Sequence, residues 1–236
     1  MLDDIYYGFQ RIMKSNESVR FNNTFHGMPV SYTGRVLSFK DGQVILNVPR
    51  IQIICIRQTR TTYLRSNLLP FTLRAHAIMW NLRDEEITLE KFERSSDTIG
   101  SRSLVRVEPR QPIRAVVVPN KDKVTYSVSI SEMSLKGLTG ILTSKAYREK
   151  DLGKGERLFL VFPLPMSNRT STSEPDMVSC KGLIRNVYSE PYSNYRLGIQ
   201  IFPTMINEQL MTRFIAQRQS ELLKDLRKLS TEDLLI

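Results

Sequence analysis

Val36-Leu37-Ser38-Phe39-Lys40-Asp41-Gly42-Gln43-Val44-Ile45-Leu46-Asn47-Val48 places two β-prone arms on either side of Asp41-Gly42. A two-residue type I′ turn needs positive φ at both central positions. Asp-Gly supplies that, so the stretch predicts a β-hairpin. The surrounding sequence continues in short β-like runs. Strands are expected from Val19 onward, at residues 61–65, within residues 71–82 and at residues 86–92, the last with Ile87, Leu89 and Lys91 on one face. Residues 51–56 form a buried-looking apolar run among them. Upstream, Ile5, Tyr6, Phe9, Ile12 and Met13 have helical spacing over residues 3–14. Short strands at this density predict a small barrel or sandwich.

A second set of strands follows a polar segment. Residues 93–103 contain Ser95, Ser96, Gly100 and Ser101 and predict a linker. Strands are expected again at residues 113–118 and 124–131 around a polar turn at 120–123. More follow at 138–142, 157–162, 178–188 and 195–202, with an exposed loop at 167–176. Leu210, Met211, Phe214, Ile215, Leu222 and Leu226 recur on a 3.6-residue period and predict a helix over 206–229. Thr204 or Asn207 suits its N-cap, and Glu208 its first turn. The first half is expected to pack on its own barrel, and the more polar second half, residues 217–228, to project. The fold class is therefore mainly β: two small β-barrel domains in series with a C-terminal α-helix. Residues 1–95 form the first domain, 96–106 the linker and 107–236 the second domain.

Composition narrows the function. The chain has 236 residues, 41% hydrophobic and 25% charged, which is ordinary for a chain with a real core. The longest apolar run, residues 158–166, is broken by prolines and is too short to span a bilayer. The opening MLDDIYYGFQ starts acidic and has no basic n-region, so no signal peptide is expected. Cys55 and Cys180 sit in apolar contexts and read as buried free thiols. A cytoplasmic protein is the expectation. A net charge of +10 favours anionic partners, yet there is no block of five consecutive Lys or Arg to make a nucleic-acid tail. An enzyme is not expected. His26 and His76 stand outside any H-E-x-x-H, and G-x-S-x-G, C-x-x-C and G-x-x-x-x-G-K-[S/T] do not occur.

Two short stretches remain. Arg102-Ser103-Leu104-Val105-Arg106 presents two arginines four residues apart. Their planar forks suit phosphate oxygens and the O6/N7 edge of guanine. Glu132-Met133-Ser134-Leu135-Lys136-Gly137 is a small turn with a hydroxyl and a glycine that permits close approach to a ligand. Arg110 and Arg114 repeat the arginine spacing, but beside a strand that follows Pro112, where exposed strand charges are the ordinary role.

Together the two stretches resemble the paired signature of the PilZ family, RxxxR and (D/N)xSxxG, with Glu132 where that family has Asp or Asn. Residues 104–229 resemble a PilZ domain along their length. Tyr195-Arg196-Leu197-Gly198-Ile199-Gln200-Ile201-Phe202 is similar to its last strand, and Phe214-Ile215-Ala216-Gln217-Arg218-Gln219 to its C-terminal helix. The N-terminal half, at Asn47-Val48-Pro49-Arg50-Ile51-Gln52 and Ser66-Asn67-Leu68-Leu69-Pro70, resembles the YcgR-like domain that precedes PilZ in flagellar-brake proteins. The resemblance implies binding of cyclic di-GMP without turnover and without a cofactor. Arg102 and Arg106 would engage phosphates and guanine, and Glu132 would accept from guanine N1–H and N2–H₂. Ser134 would donate its hydroxyl, and Gly137 would let the chain turn under the base. It also implies a domain reorientation read by a protein partner, in the brake proteins a flagellar motor component. Two alternatives stand beside it. One is a basic β-rich nucleic-acid binder using Tyr188, Tyr192 and Tyr195 near Arg185 and Arg196. The other is a PilZ scaffold that has lost its ligand and works through protein contacts, which Glu132 would favour.

Overall fold

A computed structural model describes residues 2–95, 104–121, 124–143, 147–165, 175–190 and 194–232. The chain divides into two compact units, Met1–Ser103 with Leu222–Ile236, and Leu104–Glu221.

The first unit opens with helix α1 (Leu2–Ser15), then runs β1 (Ser18–Phe25), β2 (Met28–Lys40), β3 (Gln43–Asn47), helix α2 (Arg50–Thr59), β4 (Thr61–Arg65), β5 (Leu73–Asn81) and β6 (Glu86–Arg94). Its strands close into a barrel in the order β1-β2-β3-β6-β5-β4, all six antiparallel, with β1 pairing β4. The predicted hairpin is there: Lys40 pairs with Gln43, and Asp41 and Gly42 have φ of 51° and 79°. Helix α1 buries Ile5, Phe9 and Ile12, and the Phe9 ring lies 5.2 Å from that of Phe92.

Phe92 reaches the core through an irregularity that alternation misses. Glu90 pairs with His76 and Glu93 with Arg74, so one extra residue bulges from β6, and Lys91 takes a left-handed φ of 52°. Lys91 is thereby turned to solvent. The expected Ile87–Leu89–Lys91 face is in fact Ile87, Leu89 and Phe92. A second correction concerns residues 51–56, which are helical. The Gln52 and Ile53 amides both bond back to the Pro49 carbonyl, and residues 52–56 are all buried. A helix covered on every side shows no amphipathic period, so its sequence looks like a buried strand.

The second unit contains β7 (Ile113–Pro119), β8 (Tyr126–Ser134), β9 (Gly137–Thr143), the short helix α3 (Glu149–Leu152), β10 (Arg157–Leu164), β11 (Asp176–Glu190) and β12 (Asn194–Phe202). They close in the order β10-β11-β12-β9-β8-β7, with β10 pairing β7. Counted from its own first strand, each barrel has the same order, and in each a helix joins the third strand to the fourth. Gly140 and Gly182 are packing requirements here. A Cβ at Gly140 would lie 2.3 Å from Val128 Cγ1, and one at Gly182 would lie 2.5 Å from Leu160 Cδ1.

Helix α4 (Met205–Glu232) begins where the capping residues indicate. The Glu208 amide donates to the Thr204 carbonyl at 2.8 Å. Met211, Phe214 and Ile215 are buried, the side-chain Nδ2 of Asn207 donates to the Ser179 carbonyl of β11, and Arg218 Nε donates to the Glu108 carbonyl at 2.8 Å. From Leu222 onward the helix groups with the first unit and not with the second barrel. Leu222 and Leu226 are 0% and 2% exposed, and the polar residues of that half occupy the positions between them. Cys55 and Cys180 are free and buried, and burial pushes their thiols up to about 12 and about 11. Among the described residues no helix is long and apolar enough to cross a membrane. The predicted turn at 120–123 and loop at 167–176 lie partly outside the described residues.

Candidate functional site

The site is built where the chain enters the second barrel. Val107 forms a bridge with Met133 of β8: its amide donates to the Met133 carbonyl at 2.9 Å, and the Met133 amide returns a bond at 3.0 Å. This clip sets the residue before it, Arg106, beside Glu132. Arg106 Nη1 lies 3.6 Å from Glu132 Oε2, with the two side chains 39% and 27% exposed. The same carboxylate oxygen accepts the Thr139 hydroxyl from β9 at 3.3 Å. A half-exposed pair of this kind contributes only about 0–1 kcal/mol. Arg106 is therefore oriented without being locked, and a stronger anion can take Glu132's place at little cost.

The two residues after Met133 close the hairpin. Ser134 pairs with Gly137 across Leu135-Lys136, and neither turn residue is left-handed. Ser134 is buried, and its hydroxyl donates to the Gly137 carbonyl at 3.1 Å. A ligand contact there requires the hydroxyl to exchange that carbonyl for a ligand oxygen. Gly137 is not demanded by the fold. Its φ is not positive, and a Cβ would meet the Ile199 carbonyl oxygen at 3.4 Å and Ser134 Oγ at 3.7 Å, which is ordinary contact. Unlike Gly140, it is bare without a packing reason, which leaves room for something to approach the turn.

Four of the five sequence-selected residues, Arg106, Glu132, Ser134 and Gly137, thus share one end of the β8–β9 hairpin. Arg102 lies outside the described residues. Arg114 is an exposed position on β7, and Arg110 borders a separate cavity of about 210 Å³ with Phe214 and Arg218 of α4. Sequence reasoning missed Val107 and Thr139, which position Arg106 and Glu132. Val107 sits outside any regular strand, and Thr139 meets Glu132 only through the register across a bulge, so neither carries a local signal.

The aromatic face of the nucleic-acid alternative is partly taken up. Tyr195 stacks on Tyr147 at 3.9 Å, and Arg196 Nε lies 2.5 Å from Glu190 Oε1. Arg185 Nε donates to Gln200 at 2.7 Å. Tyr188 is exposed, and Tyr192 is outside the described residues.

No family model matches the chain. An uncharacterized protein of Aquifex aeolicus is 30% identical over 148 residues, 62% of this chain and 63% of that protein, so the chain spans less than two thirds of this relative's length. Among solved structures, the Bacillus subtilis inhibitor of motility MotI/DgrA superposes with a TM-score of 0.46 at 13% identity, covering 86% of this chain and 96% of the other. YcgR of Escherichia coli in complex with c-di-GMP gives 0.44 at 11% identity, covering 97% and 95%. The PilZ domain of the same protein, also with c-di-GMP, gives 0.41 at 14% identity, covering 54% and 98%. One of the three is described as a PilZ domain. Two of the three hold c-di-GMP.

Proposed function

We propose that this protein is a cytoplasmic effector, not an enzyme, that binds cyclic di-GMP at the β8–β9 hairpin of its second barrel and passes the signal to a protein partner. One observation carries the reading: Arg106, Ser134 and Gly137, which match a spaced sequence signature, and Glu132, which stands where that signature has Asp or Asn, converge at one hairpin end where the fold itself does not require glycine. In this reading the guanidinium of Arg106 leaves Glu132 for a phosphate or guanine edge. The freed carboxylate then accepts from guanine N–H groups, and Arg102 supplies the second fork. The deciding experiment is a calorimetric titration with cyclic di-GMP, with GTP and single-stranded DNA as controls. Absence of heat with cyclic di-GMP would remove the ligand and leave the scaffold reading. Preferential binding of DNA would favour the nucleic-acid reading.

Glu132 is one methylene longer than the residue of the family signature, and overpacking a tight site costs about 1–3 kcal/mol. Glu132→Asp is expected to bind cyclic di-GMP as well as the parent or tighter. Glu132→Ala, which removes both the group that orients Arg106 and the guanine acceptor, is expected to bind more weakly. An Ala variant with the parent's affinity would take Glu132 out of the site.

Gly137→Ala separates fold from function. Because a Cβ fits the barrel, urea unfolding is expected to show unchanged stability or a gain of up to about 1 kcal/mol. Affinity for cyclic di-GMP should fall at the same time. Loss of both together would mean that glycine serves the fold.

The proposed output is a change in the angle between the two domains that exposes a surface for the partner, with a motility component as the first candidate. A ligand shifts such an ensemble only by its differential affinity for one arrangement. Small-angle scattering with saturating cyclic di-GMP is expected to differ from the ligand-free profile. Identical profiles, alongside confirmed binding, would rule out the switch but not the site.

A further inference from the structure

The outer face of the first barrel carries charges that its stability does not ask for. Arg20 on β1 stands directly opposite Arg65 on β4, and both are exposed. Like charges directly opposite on antiparallel strands, with Cβ atoms about 4.5–5.5 Å apart, destabilise a sheet. On the other side of β1, Arg20 faces Thr33 of β2, and Arg35 lies two residues further along that strand. That diagonal position is within reach of a long side chain. Among the described residues, Arg20, Arg35 and Arg65 have no acidic partner.

Arg20 and Arg65 border an open cavity of about 410 Å³ whose lining includes Glu17, Thr33, Ser66 and Asn67. Among the described residues no large apolar side chain lines it, so it suits an ion and not an apolar ligand. Its one acid among the described residues, Glu17, accepts the Ser66 hydroxyl at 3.1 Å, and that hydroxyl in turn accepts the Leu68 amide at 3.3 Å. Glu17 is thus held by Ser66 and leaves both guanidinium groups free to take an anion.

We infer that this cavity binds a phosphate-bearing anion, with Arg20 and Arg65 engaging its phosphate oxygens and Thr33 and Asn67 donating from the rim. Guanidinium forks match phosphate geometry two bonds at a time, and an anion between them converts the repulsion across β1 and β4 into a bridge. The phosphate can belong to an inorganic polyphosphate or to a nucleotide. The inference does not depend on the proposed cyclic di-GMP site, which lies on the second barrel.

The test is calorimetry on the full chain at low salt with sodium tripolyphosphate, and with GTP beside it. Binding of either probe that falls by roughly tenfold or more in Arg20→Gln and in Arg65→Gln, but not in Arg213→Gln on the exposed face of α4, supports the site. Glu17→Gln is expected to tighten it, since one negative charge leaves the cavity. Cyclic di-GMP titrated into an Arg106→Ala protein extends the nucleotide arm: residual binding that Arg65→Gln removes supports the same cavity. Equal losses in all three arginine variants would reduce the effect to diffuse attraction and overturn the inference, as would the absence of binding by every probe. Thermal unfolding in phosphate-free buffer gives a separate readout. Arg65→Gln should melt higher than the parent there, and a lower melting temperature would also overturn the inference.

Discussion

Arg106→Ala is expected to weaken cyclic di-GMP binding roughly 10- to 150-fold, and Arg102→Ala by a comparable factor, while Arg114→Ala leaves it unchanged. The size follows from the chemistry of the contact. A hydrogen bond to a charged group contributes about 1.5–3 kcal/mol net, and removing the fork leaves a phosphate or guanine edge without its partner. Arg106 starts from a favourable position. The Val107–Met133 bridge fixes its backbone, and Glu132 holds its guanidinium in the direction of the hairpin without desolvating it. The backbone at this position is therefore already ordered, and binding has mainly the Arg106 side chain left to fix. Arg114 is the internal control because it keeps the same spacing motif while lying exposed on β7. Parent-like affinity in both Arg102→Ala and Arg106→Ala would dispose of the proposed site. Arg106→Ala should not unfold the protein, since the pair it breaks is half exposed and contributes at most about 1 kcal/mol.

Much of the fold could be read locally. Asp41-Gly42 specifies its hairpin by backbone conformation alone, and nearly every alternating run became a strand within a few residues of its predicted ends. Two features could not be read, for different physical reasons. Helix α2 is enclosed, so residues 52–56 show unbroken burial in place of a period. In β6 a single left-handed residue, Lys91, reverses the inward and outward faces, and lysine is not a residue whose type announces such a bend. The repeated strand order of the two barrels was also hidden, because pairing is set by contacts distant in sequence. At the candidate site, the residues carrying charge and hydroxyl groups were visible as a motif. The residues that aim them, Val107 and Thr139, were not, since their roles arise from register.

The largest stability effect is expected in the first barrel, at Asn23→Ala. Asn23 on β1 is 4% exposed and joins three elements. Its Oδ1 accepts from Gln52 Nε2 of α2 and from Thr62 Oγ1 of β4, each at 2.7 Å, and its Nδ2 donates to the Thr61 carbonyl at 2.7 Å. Gln52 and Thr62 are both 0% exposed, so water does not replace the lost partner. Truncation strands two donors and one acceptor, each costing about 1–3 kcal/mol when buried. Partial relaxation brings the expected loss to about 3–5 kcal/mol. That is a large share of the 5–15 kcal/mol typical of a folded domain. The companion variant Gln52→Met sharpens the test. It removes one donor, but Asn23 Oδ1 keeps its bond from Thr62, and it also removes Gln52 Oε1, which has no hydrogen-bond partner among the described residues. Exchanging that amide for an unbranched apolar side chain of similar length should therefore cost less than about 1.5 kcal/mol. Urea unfolding of the parent and both variants, with unchanged m-values, measures the difference. If Asn23→Ala costs no more than Gln52→Met, the buried amide is not what ties α2 to the strands, and packing of Ile53 and Ile56 holds the helix in place.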